Sequence, residues 1–229
     1  MAISCRLRLI QQAIVLMLAA VLSALACAGV AMARSDVASS SKLVLPFVAP
    51  DWCHGLDCPA FDVVSNAATG SYEVRHYAPS VWVATVITGP SYDKAVNTGF
   101  MRLFNYIGGE NADRAKIAMT APVLVDVTPG PGPTCGSNFT VAFYAGREGV
   151  TPPAPQTPEL FVQRQPGRKV YVASYGGWAS EKTVLAKATE LTNALVADKQ
   201  SFQPAGFLTA GYDSPFRILG RHNEVWINA

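Results

Sequence analysis

Histidine is nearly absent from the chain. Only His54, His76 and His222 occur among 229 residues. The H-E-x-x-H zinc signature, the G-x-S-x-G nucleophile elbow and a phosphate-cradling glycine loop are all missing, so the common hydrolytic and nucleotide chemistries leave no mark. Charge is scarce too, at 15 % Asp, Glu, Lys and Arg, and basic residues form no run longer than the pair Arg168-Lys169. Without a basic patch there is no electrostatic case for a nucleic-acid partner or for attraction to a membrane surface.

Residues 1–33 contain no acid. Arg6 and Arg8 precede an apolar stretch uncharged from Ala13 to Ala33, which closes on Ala26-Cys27-Ala28 and Ala31-Met32-Ala33. A basic start, an apolar middle and small residues at the exit are the parts of a secretory signal peptide. The expectation is cleavage after residue 33, a secretory or extracellular destination, and no stable membrane span afterwards. An uncleaved endomembrane anchor or a chloroplast transit segment are the alternatives. Removing Arg6 and Arg8 from the 18 basic residues leaves 16 against 16 acids, a neutral chain.

Three cysteines remain beyond the signal: Cys53, Cys58 and Cys135. An oxidising compartment favours one disulfide and one leftover thiol, and all three pairings stay open. Asn138-Phe139-Thr140 is a glycosylation sequon, relevant if the chain enters the secretory route. "WCHGLDC" sets Cys53, His54 and Cys58 close together, but the chain offers no fourth zinc partner at a recognisable spacing.

Residues 34–56 are small, Ser-rich and Pro-containing, and read as a flexible lead-in to a domain at 57–229. In "SYEVRHYA", Tyr72, Val74 and His76 alternate with Glu73, Arg75 and Tyr77, as in a strand. "VWVATVI" is a second strand, with Ala78-Pro79-Ser80 as the turn of a hairpin. Tyr92, Val96, Phe100, Leu103 and Ile107 then recur at helical spacing, with Ser91 as N-cap and Gly108-Gly109 as the stop. "KIAMTAPVLVDV" and "NFTVAFYAG" are strands. The second half repeats this order: a hairpin in "LFVQRQPGRKVYVASYGG", a helix with Val184, Ala188, Leu191 and Leu195 on one face, and closing strands in "FLTAGYDSP" and "RHNEVWINA". Trp82-Val83-Ala84-Thr85 is echoed by Tyr171-Val172-Ala173-Ser174. This twofold hairpin-helix-hairpin pseudo-repeat predicts one α+β domain, a curved antiparallel sheet or open barrel carrying two helices.

"SYEVRHYAPSVWVAT", "GFMRLFNYIGGEN", "KIAMTAPV", "TPPAPQTPEL" and "AGYDSPFRILGRHNEVW" together resemble the SOUL haem-binding protein family, over roughly residues 57–228. The nearest resemblance is to plant-type members with an N-terminal signal. It implies a distorted antiparallel β-barrel flanked by two α-helices, and reversible, noncovalent binding of haem or another tetrapyrrole as carrier, buffer or scavenger. It also implies an apolar pocket between the helix at 91–107 and the stretch 211–222. The candidate contacts are Val96, Phe100, Met101, Phe104, Tyr212 and Phe216.

His76 falls where some members are proposed to ligate iron. It has three readings: axial ligand, general base, or a hydrogen-bonded ring at the edge of a core. Asn97 and Asn105 stand where some members carry basic residues near the porphyrin propionates, and Arg102 lies on a different face. C-x-x-C-H is missing, which excludes covalent c-type attachment. Met101 and Met119 carry thioether sulfur, whose ordinary role is packing. Asp213, Arg221, His222 and Glu224 form a candidate polar cluster at a strand junction. Nothing here marks an enzyme. The resemblance extends to bacterial effector-binding domains with hydrolase relatives, so a hydrolase acting on a small amphiphilic molecule is the alternative, and a non-binding interaction module is the third.

Overall fold

The computed structural model describes residues 47–130 and 136–229. The expected signal, most of the lead-in and Cys135 lie outside the described residues. Nine strands make one sheet: β1 (Phe61–Asn66), β2 (Glu73–Tyr77), β3 (Ser80–Gly89), β4 (Val123–Thr128), β5 (Ser137–Arg147), β6 (Leu160–Gln165), β7 (Arg168–Tyr175), β8 (Phe207–Gly211) and β9 (Asn223–Asn228). Helices α1 (Tyr92–Gly108) and α2 (Glu181–Ala197) follow β3 and β7. The sheet order is β1-β2-β7-β9-β8-β4-β5-β3-β6, antiparallel throughout, so the sheet is strongly curved but open at β1 and β6.

Setting β1 aside, the order reads the same from either end if β2 is exchanged for β6, β7 for β3, β9 for β5 and β8 for β4. The pseudo-repeat is therefore real, with its axis between β4 and β8. The second hairpin of each half forms, β4 with β5 and β8 with β9, but the first does not. β2 pairs with β7 and β6 with β3, each strand joining the opposite half. The links are Ala78-Pro79 and Pro166-Gly167, and each proline holds the residue before it in extended backbone. The chain continues instead of folding back.

The expected echo also shifts by one residue. Trp82 faces the inner core with Ala84, whereas Tyr171 faces outward under α2. On a period-two strand the matching partner is then Val83, which is outward under α1. β1 escaped detection because its burial pattern shows no buried position and so no alternation. β4 begins only at Val123, after Pro122, rather than at Lys116.

The inner face is a core of Trp82, Tyr144, Val172, Tyr212 and Trp226 with their neighbours. Two outer patches lie under the helices. In α2 the buried residues are Val184, Ala188, Leu191 and Leu195, the expected stripe. In α1 the buried face centres on Ala95, Gly99, Leu103 and Tyr106, while Val96 and Phe100 sit at its margin. Gly99 explains the rotation: a Cβ added there would lie 2.5 Å from Val141 Cγ2, so the helix approaches the sheet through its glycine. Ser91 caps α1 as expected, accepting from the Lys94 amide.

The two helix N-termini meet beside the axis. The Tyr92 amide donates to Glu181 Oε2 at 2.9 Å, and the Glu181 amide donates to Asp93 Oδ1 at 3.1 Å. Each helix thus supplies the carboxylate that neutralises the positive end of the other.

The described part of the expected flexible lead-in is packed. Asp51–Cys53 form a single 3-10 turn, and Cys53 and Cys58 are joined as a disulfide buried in the inner core. The disulfide fastens an arm too short to build a core of its own. It also removes the thiolates a zinc site would need, and among the described residues no three His, Cys, Asp or Glu side chains form a metal-holding group.

Candidate functional site

A cavity of about 320 Å³ opens beside the meeting point of the helices. One wall is the first half of α1, with Tyr92, Asp93, Val96, Asn97 and Phe100. The floor is sheet, from Val123 and Val125 of β4 and Thr209, Ala210 and Gly211 of β8. The far wall combines Tyr175, Trp178 and Ala179, at the end of β7 and before α2, with Asp213, Pro215, Arg221 and Asn223 on and after the β8–β9 connection. Two of these elements, α1 and the β8–β9 connection, are those the resemblance implies.

Of the candidate contacts, Val96 and Phe100 line the cavity. Met101 and Phe104 do not; each is 48 % exposed, and Phe104 stacks on Phe100 with ring centroids 5.7 Å apart. Tyr212 is turned into the inner core, where its hydroxyl donates to Glu224. Phe216 projects from the connection, 90 % exposed.

His76 is an exposed residue of β2 and does not line the cavity. Three strand steps separate β2 from β8, roughly 14 Å along the sheet. Its side chain shares the parity of Val74 but lies beyond the patch that α2 covers. His76 therefore lies apart from Val96 and Phe100, and its exposure corrects the reading of a ring at the edge of a core. Asn138 is exposed near the start of β5, its side chain accepting from Thr88 Oγ1 at 2.7 Å.

The cavity wall is chemically uneven. Tyr92 donates to or accepts from Thr209 Oγ1 at 2.7 Å, and burial pushes its phenol up to about 12, against the opposing effect of that bond, so it stays neutral. Burial likewise raises the Tyr175 phenol, so it remains protonated. Its buried hydroxyl and the buried Nε of Arg221 both lack hydrogen-bond partners among the described residues. The Arg221 guanidinium lies 4.2 Å from the Trp178 ring and donates to the backbone oxygens of Ser214 and Arg217 at 2.8 and 2.7 Å. No described carboxylate pairs with it. Asp213, by contrast, is saturated: its buried carboxylate takes His54 Nε2 at 2.8 Å, Arg217 Nε at 3.2 Å and the His222 amide.

Behind the connection lies the expected polar cluster, with different pairings. Glu224 is fully buried and accepts from Arg75 Nη1 at 2.9 Å, His222 Nε2 at 2.8 Å, the Tyr212 hydroxyl at 2.9 Å and Trp226 Nε1 at 2.7 Å. Arg75, also buried, reaches Glu73 Oε2 at 2.7 Å and the Tyr77 hydroxyl at 3.2 Å. Burial alone would raise the Glu224 carboxyl, but the bond from His222, the Arg75 charge and the bond from Trp226 outweigh it and hold the group below its ordinary value. Arg75 went unnoticed as a partner because alternation marks it only as the polar face of a strand. Trp52 of the disulfide arm stacks on His222 at 4.6 Å, closing the cluster from outside. Of the four expected members, Asp213 and Arg221 line the cavity, whereas His222 and Glu224, with Arg75, do not.

A family model described as SOUL heme-binding protein matches residues 56–228. Heme-binding protein 2 of Homo sapiens is 39 % identical over 159 residues, which cover 69 % of this chain and 78 % of that protein. Heme-binding protein 1 of Xenopus laevis is 29 % identical over 157 residues, covering 68 % and 82 %. Among solved structures, the EcmrR chain of a cryo-EM EcmrR–DNA complex aligns with a TM-score of 0.54 at 7 % identity, over 68 % of this chain and 56 % of that one, a likeness of fold alone.

Proposed function

The chain belongs to the SOUL haem-binding protein family, and from that premise we propose that it binds haem or a related tetrapyrrole noncovalently in the cavity between α1 and the β8–β9 connection. The observation that carries this site is the wall itself: Val96, Phe100, Val123, Val125 and Ala179 supply apolar surface, and Arg221 supplies a cation with no carboxylate partner among the described residues. An apolar ligand with carboxylate substituents matches both. At about 320 Å³ the cavity is at the small end of ordinary ligand sites. It takes an edge of the porphyrin disc and leaves the rest against exposed side chains such as Phe104 and Met101.

The lining holds no histidine, cysteine or methionine, so this reading needs no iron ligand, and His76 enters only if a second site uses it. The role is that of a carrier, buffer or scavenger rather than a catalyst. The buried cluster around Glu224 lies outside the cavity, with its carboxylate fully engaged. The N-terminal sequence and the Cys53–Cys58 disulfide together support passage through an oxidising secretory route. Residues 1–33 fused to a reporter should direct it there.

The test of the site is metal dependence. Quenching of tryptophan fluorescence, with Trp178 in the cavity wall, should give saturable binding for haemin and for iron-free protoporphyrin alike. Binding of haemin alone would overturn this reading, because it would require an iron ligand, a tyrosine of the wall or a residue elsewhere.

A further inference from the structure

The β8–β9 connection leaves its apolar tip uncovered. Phe216, Ile218 and Leu219 are 90 %, 75 % and 82 % exposed. This is a built conformation rather than an unsupported loop. Arg221 donates to the carbonyls of Ser214 and Arg217, the Arg217 amide returns to Ser214 O at 3.0 Å, and Arg217 Nε bonds Leu219 O at 3.2 Å. Buried Asp213 anchors the base through His54 and Arg217. The polar groups of the connection are thus turned inward to hold its shape, and the apolar ones are presented outward.

We propose that this tip inserts into the surface of an anionic lipid bilayer and sets the mouth of the cavity against it. Two observations favour a bilayer over a protein partner. The three side chains expose roughly 500 Å² of apolar surface, well above scattered exposure but short of the roughly 800 Å² per partner that a stable protein interface buries. The connection is also net positive although the sequence holds no basic patch: Arg217 and Arg221 stand against one acid, the buried Asp213, the Arg217 side chain is 45 % exposed, and half-exposed Trp178 lies beside Arg221. Apolar residues at a tip with arginine and tryptophan at its base suit the boundary between headgroups and acyl chains. Insertion itself does not depend on the tetrapyrrole reading. Its use for moving a ligand between bilayer and cavity rests on that reading, since Asp213, Pro215 and Arg221 belong both to the connection and to the cavity wall.

The experiment is flotation of the protein with vesicles of phosphatidylcholine alone and of phosphatidylcholine with 30 % phosphatidylserine. It compares wild type with an Ile218→Ser, Leu219→Ser variant, whose circular dichroism and unfolding transition should be unchanged because both side chains are exposed. The expected result is binding to the anionic vesicles that falls at least tenfold in the variant and weakens with salt or without phosphatidylserine. Failure of wild type to float would overturn the proposal, as would equal flotation of the variant. Concentration-dependent self-association abolished by the same substitutions would assign the tip to a second copy of the chain and overturn it as well. A parallel haemin titration of the variant separates the two readings, because solution binding should survive loss of the tip.

Discussion

Replacing Glu224 with glutamine removes one charge from a site with no access to water. The amide keeps the shape but turns an NH2 group toward donors, since all four partners of the carboxylate are N–H or O–H groups. Arg75, 1 % exposed at its side chain, is left with Glu73, which is itself 40 % exposed. Removing one member of such a buried pair costs about 3–5 kcal/mol, because the remaining charge stays desolvated. For a domain of this size that lowers Tm by roughly 6–20 °C.

The assay is urea unfolding followed by circular dichroism, with an unchanged m-value showing that the variant unfolds from the same compact state. The pH dependence supplies a second check. The folded-state carboxyl lies below its unfolded value of 4.5, so its stabilisation is fully present above that pH and is lost as pH falls through the folded value. The gap between wild type and Glu224→Gln should therefore narrow in acid. Adding Arg75→Met to Glu224→Gln should cost less than the two single changes summed. A Glu224→Gln variant within about 1 kcal/mol of wild type at pH 7 would refute this account of the cluster.

Gly99→Ala should destabilise by about 1–3 kcal/mol despite alanine's better helix propensity, because the added methyl meets Val141, and thermal unfolding reads the sign directly. Replacing Cys53 and Cys58 with serine should cost about 2 kcal/mol, the chain-entropy value for so short a loop. Hydrogen exchange should rise in the arm and in residues 212–222, which Trp52 and His54 hold down. Tyr175→Phe removes a hydroxyl that has no partner among the described residues, so unfolding should change by less than about 1 kcal/mol, while affinity for porphyrin diacids over their dimethyl esters should fall several-fold.

What the sequence made legible was whatever periodicity encodes. The α2 stripe, the capping of α1 at Ser91 and the twofold order of elements are all visible as spacing. Pairing across the halves was not, because alternation tells a strand which face to bury and not which neighbour to take. Residues 70–80 read equally well as a local hairpin and as the exchanged strand they form. The face of α1 was misplaced by one position because a glycine scores as no hydrophobe, yet Gly99 marks the closest approach to the sheet.

For the site, the two walls were legible through the family resemblance, and Val96 and Phe100 line the cavity. Tyr175, Trp178 and Thr209 were missed because they converge from separate segments and share no spacing, and Arg221 was placed in the polar cluster rather than in the cavity wall. His76 stood out for its rarity, which says nothing of where β2 sits in the sheet.

The central claim is that the cavity beside α1 holds the tetrapyrrole without an iron ligand from β2. Its most direct test is a haemin titration at the Soret band with wild type, His76→Ala and Val96→Trp, the last filling the cavity. The account predicts the same saturable shift in wild type and His76→Ala, and at least a tenfold loss of affinity in Val96→Trp with folding intact. A shift retained in Val96→Trp and lost in His76→Ala, or no saturable shift in any of the three, would contradict it.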